Sequence, residues 1–197
     1  MKNNFLFYLK STIEFLFFYF FYKILSILPL HLLSNLGGYI FRYIGPKTKL
    51  EKIVKKNLIQ IFPKIELSYQ IEQSKKNWFN IGKTFFELLF LPQIINSKNK
   101  IIIDGEKNIK NILENKEIAI FIGIHQSNWE ILLPTIDKIG VPAIGIYRHI
   151  NNPFINNLIL KIRKKSIISN KSFYTPKGKK SAKDIIEGIK NKMSIVL

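Results

Sequence analysis

Residues 117–124, EIAIFIGI, are a short apolar run rich in β-branched isoleucine, opened by a single charge at Glu117. A continuous apolar run of this length predicts a buried strand of a parallel sheet, because both of its faces must be covered. The chain then passes through His125-Gln126-Ser127-Asn128-Trp129-Glu130 into a predicted helix over about 128–138, in which Pro134 is expected to produce a kink. VPAIGIYR at 141–148 reads as a second buried strand. Asn152-Pro153 opens a basic amphipathic helix running to about Lys165, with proline at the first helical position. Ser181 opens a further helix to about Lys192, with Asp184 as its capping partner, and MSIVL at 193–197 reads as a third buried strand. Strand–helix–strand–helix–helix–strand predicts an α/β fold: a mainly parallel sheet flanked by helices.

Working back towards the N-terminus, the most apolar stretch is 5–28, interrupted only by Lys10, Glu14 and Lys23. It is long enough to span a bilayer, and its Phe and Tyr content and snorkelling lysines suit an interfacial helix equally well. It lacks the small-residue cleavage site of a secretory signal. Residues 1–28 are therefore read as a membrane anchor, transmembrane or interfacial, and 29–197 as the domain it carries. Within that domain Pro29 precedes an apolar helix over about 30–44, which Gly45-Pro46 ends. A basic helix over 48–61 stops at Pro63. Ser68 is expected to cap a helix over about 69–90 whose apolar face carries Trp78, Ile81, Phe85, Leu88 and Leu89, and Pro92 closes it.

Apolar residues make up 47% of the 197, enough to build a core. Lysine and arginine outnumber aspartate and glutamate 31 to 13, a net charge of +18 that favours acidic partners such as anionic headgroups, nucleic acid or an acidic protein. The abundance of Lys, Asn and Ile also fits an AT-rich coding sequence, so charge alone does not choose among these partners. The absence of cysteine excludes disulfides, thiolate metal sites and a cysteine nucleophile. There is no Gly-rich phosphate loop and no HExxH; Lys177-Gly178-Lys179-Lys180 is a solvated basic turn.

His125 falls just past the carboxyl end of a predicted strand, where active-site groups collect in open α/β sheets. Glu130 follows five positions later. Within one helix the two side chains would diverge by about 140°, so they meet only if His125 lies in the turn before the helix and Glu130 in its first turn. A carboxylate on one imidazole nitrogen would leave the other free to take a proton from a hydroxyl. The structural alternative is a capping box, Ser127 with Glu130, which needs no catalysis. Asn128 either binds substrate or caps the helix; Trp129 reads as core, and His31 and His149, with no visible partner in the sequence, as ordinary histidines.

GIHQSNWE contains the H-x4-D/E motif of glycerolipid acyltransferases, and its fuller context resembles the lipid A biosynthesis late acyltransferase family, the lauroyl/myristoyl acyltransferases. YRHINNPFINNLILKIR at 147–163 is similar to that family's Tyr-Arg-x-x-x-Asn-Pro segment, and KNLIQIFP at 56–63 and the helix bearing Glu87 resemble its region between anchor and core. The resemblance runs from about residue 20 onward. It implies a glycerolipid-acyltransferase-like domain at 29–197 and transfer of a fatty acyl chain from an acyl carrier protein thioester to a hydroxyl of a lipid A precursor. His125 would be the base, Glu130 its partner, Arg148 the group holding the oxyanion or an acceptor phosphate, and Asn128 a substrate ligand.

No cofactor or metal is implied. The implied partners are an acidic acyl carrier protein, a glycolipid acceptor and the membrane, with no nucleic acid, at the cytoplasmic face of the inner membrane. Family members continue past this point into an Asp-Gln segment, so the chain is expected to lack the C-terminal part. Two other readings are an acyltransferase for a glycerol phosphate or mannosyl lipid acceptor, and a non-catalytic basic peripheral membrane or nucleic-acid-binding protein.

Overall fold

The structure, a computed structural model, describes residues 2–97, 100–169 and 171–197. The chain divides into two compact units, one of residues 1–24, 89–124 and 129–197 and the other of residues 25–88 and 125–128.

The first unit is built on a parallel sheet. Its elements are helix α1 (Lys2–Leu25, of which residues to Ile24 belong here), α5 (Leu91–Asn96), α6 (Glu106–Glu114), β1 (Ile120–Phe121), a 3-10 turn (Trp129–Ile131), α7 (Leu132–Ile139), β2 (Ala143–Tyr147), α8 (Pro153–Lys165), β3 (Phe173–Pro176), α9 (Lys179–Lys190) and β4 (Ser194–Val196). The strands lie in the order β1-β4-β2-β3, all parallel, with Ile144 opposite both Ile195 and Phe173. The α/β class and the parallel sheet are as the apolar periodicity predicts. Leu133, Ile136, Val141, Ala143 and Val196 form the core, joined by Ile109 and Leu113 of α6 and by Phe121, Leu132, Ile167 and Tyr174. Gly140, at φ +104°, ends α7 in the left-handed conformation open to glycine, so the chain turns straight into β2.

Four local expectations need correction. The 117–124 run is an edge strand, not a buried one: its ladder covers only Ile120 and Phe121, and Ile118, Ile120, Ile122 and Ile124 are 41%, 61%, 77% and 72% exposed. Hydrophobicity reports what a run can bury, not which of its faces finds a neighbour. Strand β3 was not anticipated, because FYTP is short and ends in proline; it occupies the other edge, where proline is tolerated. Pro134 does not kink a helix. Helix α7 starts at Leu132, so Pro134 lies in its first turn, where the missing N–H has no partner to lose. Asp184 does not cap α9: that helix starts at Lys179, Ser181 accepts from the Gly178 N–H at 3.1 Å, and Asp184 accepts from the Thr175 hydroxyl.

The second unit is helical: α2 (Leu30–Ile44), a 3-10 turn (Gly45–Lys47), α3 (Glu51–Ile61) and α4 (Leu67–Leu88), joined by residues 125–128. Glycines let α2 and α4 approach closely, since a Cβ at Gly82 would stand 2.2 Å from the Gly37 carbonyl oxygen. Glu51 is buried, and its carboxylate accepts from the Ser74 hydroxyl (2.7 Å) and the Trp78 indole N–H (2.8 Å), which satisfies a charge that would otherwise be costly. Ser68 lies inside α4 rather than capping it, and Pro92 opens α5 rather than merely closing α4. The buried residues of α4 are Gln70, Ser74, Trp78, Gly82, Thr84 and Leu88; of the five expected on its apolar face, Trp78 and Leu88 are buried, Ile81 and Leu89 are half-buried and Phe85 is exposed.

Asp137 of α7 is buried and accepts from the backbone N–H groups of Ile168 (2.7 Å) and Ser169 (3.0 Å) and from the Ser169 hydroxyl. Burial alone would push its carboxyl up, but these hydrogen bonds outweigh it and hold the pKa below the ordinary value. The folded pKa is depressed, so the stabilisation is present above the unfolded value of about 4 and is lost as pH falls through the folded one. Asp137→Asn should therefore flatten the acid limb of a stability–pH curve below about pH 4, measured by urea unfolding. Gly82→Ala should cost about 1–3 kcal/mol through overpacking, more than the roughly 1 kcal/mol alanine gains over glycine in a helix, and should lower the midpoint of unfolding.

Candidate functional site

The first unit holds Glu130, Arg148 and a residue that sequence reasoning missed, Arg163. Glu130 lies in the 3-10 turn Trp129–Ile131, and Arg163 in the last turn of α8. The guanidinium grips the carboxylate with both arms: Nε donates to Oε2 at 2.8 Å and Nη2 to Oε1 at 2.6 Å. The two side chains are only 10% and 12% exposed. This is the bidentate, charge-assisted geometry that arginine forms and lysine cannot. The guanidinium carbon also stands 5.7 Å from the ring centroids of both Tyr147 on β2 and Tyr174 on β3, within cation–π range.

Burial works against the Arg163 charge, yet the hydrogen bonds and charge of Glu130 outweigh it and raise the pKa above its ordinary value. Burial, reinforced by Glu130, pushes the Tyr174 phenol well up, so it stays a neutral hydroxyl. Arg163 carried a faint signal in the sequence. It falls in register with Asn156, Ile159 and Ile162 on the buried stripe of α8, and a cation on an apolar stripe requires a partner.

Ser127 is not the N-cap of helix α7. Helix α7 begins at Leu132 with Ile131 at its N-cap and no side-chain cap, and the Glu130 carboxylate engages Arg163. Arg148 follows β2 directly and is exposed. It stands at the carboxyl end of a strand in the middle of the sheet, the position where open α/β sheets bind ligands. His149 beside it packs edge-on against Tyr147, at 5.3 Å between centroids.

The second unit holds His125 and Asn128. His125 occupies a turn, not a helix, and is exposed. The Asn128 amide donates to Glu87 Oε2 at 2.8 Å, while the Ser34 hydroxyl donates to Glu87 Oε1. The carboxylate of α4 thereby fixes the orientation of Asn128. Thr84, one turn earlier on α4, donates to the Ser127 carbonyl at 3.3 Å, so two points on one helix hold the 125–128 segment. Among the described residues no group of three or more His, Cys, Asp or Glu residues is arranged to hold a metal ion.

A double-mutant cycle tests the buried pair. Arg163→Met alone strands a buried carboxylate and should cost about 3–5 kcal/mol, whereas Arg163→Met with Glu130→Leu should recover much of that loss. A double variant as unstable as the single one would show that the charges are not coupled.

The family model for bacterial lipid A biosynthesis acyltransferases matches residues 2–197. Comparison with curated proteins returns no significant match.

Proposed function

The chain belongs to the bacterial lipid A biosynthesis acyltransferase family, and on that premise we propose that it is a membrane-associated late acyltransferase moving a fatty acyl chain from acyl carrier protein to a hydroxyl of a lipid A precursor. The observation that carries this reading is the match over residues 2–197, which includes the whole His125–Glu130 segment.

The chemistry follows from the residues. A hydroxyl attacks a thioester only as it loses its proton. His125 accepts that proton while the acceptor oxygen bonds to the thioester carbonyl carbon. The tetrahedral intermediate collapses, the carbon–sulfur bond breaks, and the imidazolium returns its proton to the departing thiolate. Glu130 steadies the imidazolium. Its two oxygens carry about four lone-pair sites, so the grip of Arg163 leaves further acceptor capacity. Arg148 holds the oxyanion or a phosphate of the acceptor, and Asn128, oriented by Glu87, binds substrate. This chemistry uses no metal, nucleotide or prosthetic group.

The net charge of +18 supports docking of an acidic carrier protein. Residues 5–25 form a helix long and apolar enough to cross a membrane, which supports membrane association. Both substrates carry long apolar chains, so reaction at a lipid surface spares each a transfer through water.

Membranes containing the chain, given acyl carrier protein with a labelled acyl group and a lipid A precursor, should transfer label to the glycolipid. His125→Ala should lower the rate by about 10²- to 10⁴-fold. Transfer that survives His125→Ala would sink the mechanism. Transfer to a glycerol phosphate or mannosyl lipid in preference to the precursor would move the assignment to another acceptor.

A further inference from the structure

Arg148 and the basic turn Lys177-Gly178-Lys179-Lys180 leave the sheet side by side. Strands β2 and β3 are paired to their last residues, Tyr147 opposite Pro176, and the Lys177 N–H still donates to the Tyr147 carbonyl at 2.8 Å. Arg148 and Lys177 are therefore the next residues on two neighbouring parallel strands, whose backbones run about 4.8 Å apart. Gly178, at φ +135° and ψ −157°, holds a conformation essentially confined to glycine and turns the chain straight into α9, which opens with Lys179 and Lys180. A Cβ at Gly178 would meet nothing within 4 Å, so the turn and not packing calls for the glycine. Lys177 to Lys180 spans at most roughly 11 Å of chain, so the cations crowd into a region little wider than a Debye length. Arg148, Lys177, Lys179 and Lys180 are all exposed, and among the described residues none of them has an acidic partner. Lys10, Lys55 and Lys110, by contrast, each lie against a glutamate one helical turn away. Helix α9 has no acidic residue in its first turn, and Asp184 behind it accepts from the Thr175 hydroxyl. The positive end of the α9 dipole adds to the repulsion among these charges.

We propose that this cluster seats a phosphate ester of the acceptor glycolipid, with Arg148 as its fork and Lys177, Lys179 and Lys180 as point charges around it. The proposal rests on the acyltransferase reading above and narrows it: Arg148 takes the phosphate, not the oxyanion. A phosphate monoester carries nearly two negative charges near neutral pH and three free oxygens. An arginine holds two such oxygens at once, and the amines neutralise the remainder. A single developing oxyanion calls for no such concentration of charge. The place is also one where open α/β sheets take ligands, beyond the carboxyl ends of adjacent strands. An acidic protein would be met by charge spread over a face. Here the lysines that would extend the face, Lys164, Lys165 and Lys190, stand at the far ends of α8 and α9.

The test uses the full chain in detergent micelles. The probe is radiolabelled lipid A precursor, intact or stripped of its phosphates by a phosphatase, with binding read by filtration. The intact lipid should bind roughly tenfold or more tightly than the stripped one, as loss of a charge-assisted contact implies. Replacing Lys177, Lys179 and Lys180 together by glutamine should erase that difference and leave binding of the stripped lipid unchanged, which also reports that the variant is folded. Replacing Lys164, Lys165 and Lys190 by glutamine, the same loss of charge, should leave the difference intact. Equal weakening by the two triple variants would overturn the site in favour of general attraction to a chain of +18. Phosphatidylglycerol at matched phosphate concentration should not displace the precursor; displacement would reassign the cluster to bulk headgroups. Loss of acyl carrier protein binding with lipid binding untouched would reassign it to the carrier. Arg148→Gln should raise KM for the intact lipid alone, whereas a fall in kcat on both lipids would overturn its assignment to the phosphate. Transfer to the stripped lipid at unchanged KM would remove the phosphate site and leave the acyltransferase reading standing. Binding of neither lipid would remove both.

Discussion

Removing a carboxylate and a guanidinium from water costs several kcal/mol for each ion, and only close, doubly hydrogen-bonded pairing offsets it. In the sheet unit that demand organises the surroundings. Glu130 sits on the turn after the edge strand, Arg163 reaches it from the far end of α8, and Tyr147 and Tyr174 present ring faces from two neighbouring strands. Loss of either charge leaves the other stranded, so the turn, the helix and the two strands are held to one arrangement. The order of cause runs from charge burial to geometry.

The helical unit reaches comparable definition by other means. Gly37 and Gly82 bring two helices into near backbone contact, and Glu51 holds Ser74 and Trp78 from within. Glu87, on the same long helix, turns its carboxylate to Asn128. The acidic residues are few, yet Glu51, Glu87, Glu130 and Asp137 each organise several neighbours. In a chain with 31 basic residues, a carboxylate that is buried is there for a purpose.

Those carboxylates mark the limit of what the sequence discloses. Apolar periodicity announced the parallel sheet, and Pro29 and Gly45-Pro46 bounded α2 at Leu30 and Ile44. Asn152-Pro153 announced α8, whose first turn Asn152 does cap. Periodicity misled where packing is made by small residues, as along α4, and where a run lies at an edge, as in β1. It was blind to β3, a strand of four residues. Among the candidate site residues, His125, Asn128, Glu130 and Arg148 were visible because their motif is local. Arg163 and Glu87 stand 33 and 41 positions from the residues they hold, and no local pattern encodes such a distance. What could be read was the misplaced cation on an apolar stripe.

The free edge of β1 has a practical corollary. Among the described residues only its inner side is paired, to β4, and an isoleucine recurs at every second position from 118 to 124. Unpaired N–H and C=O groups beside a β-branched, uncharged row are a ready template for another strand. During synthesis or refolding, chains that meet at this edge can stack strand on strand before lipid or substrate is present. A lysine placed in the row would blunt that template.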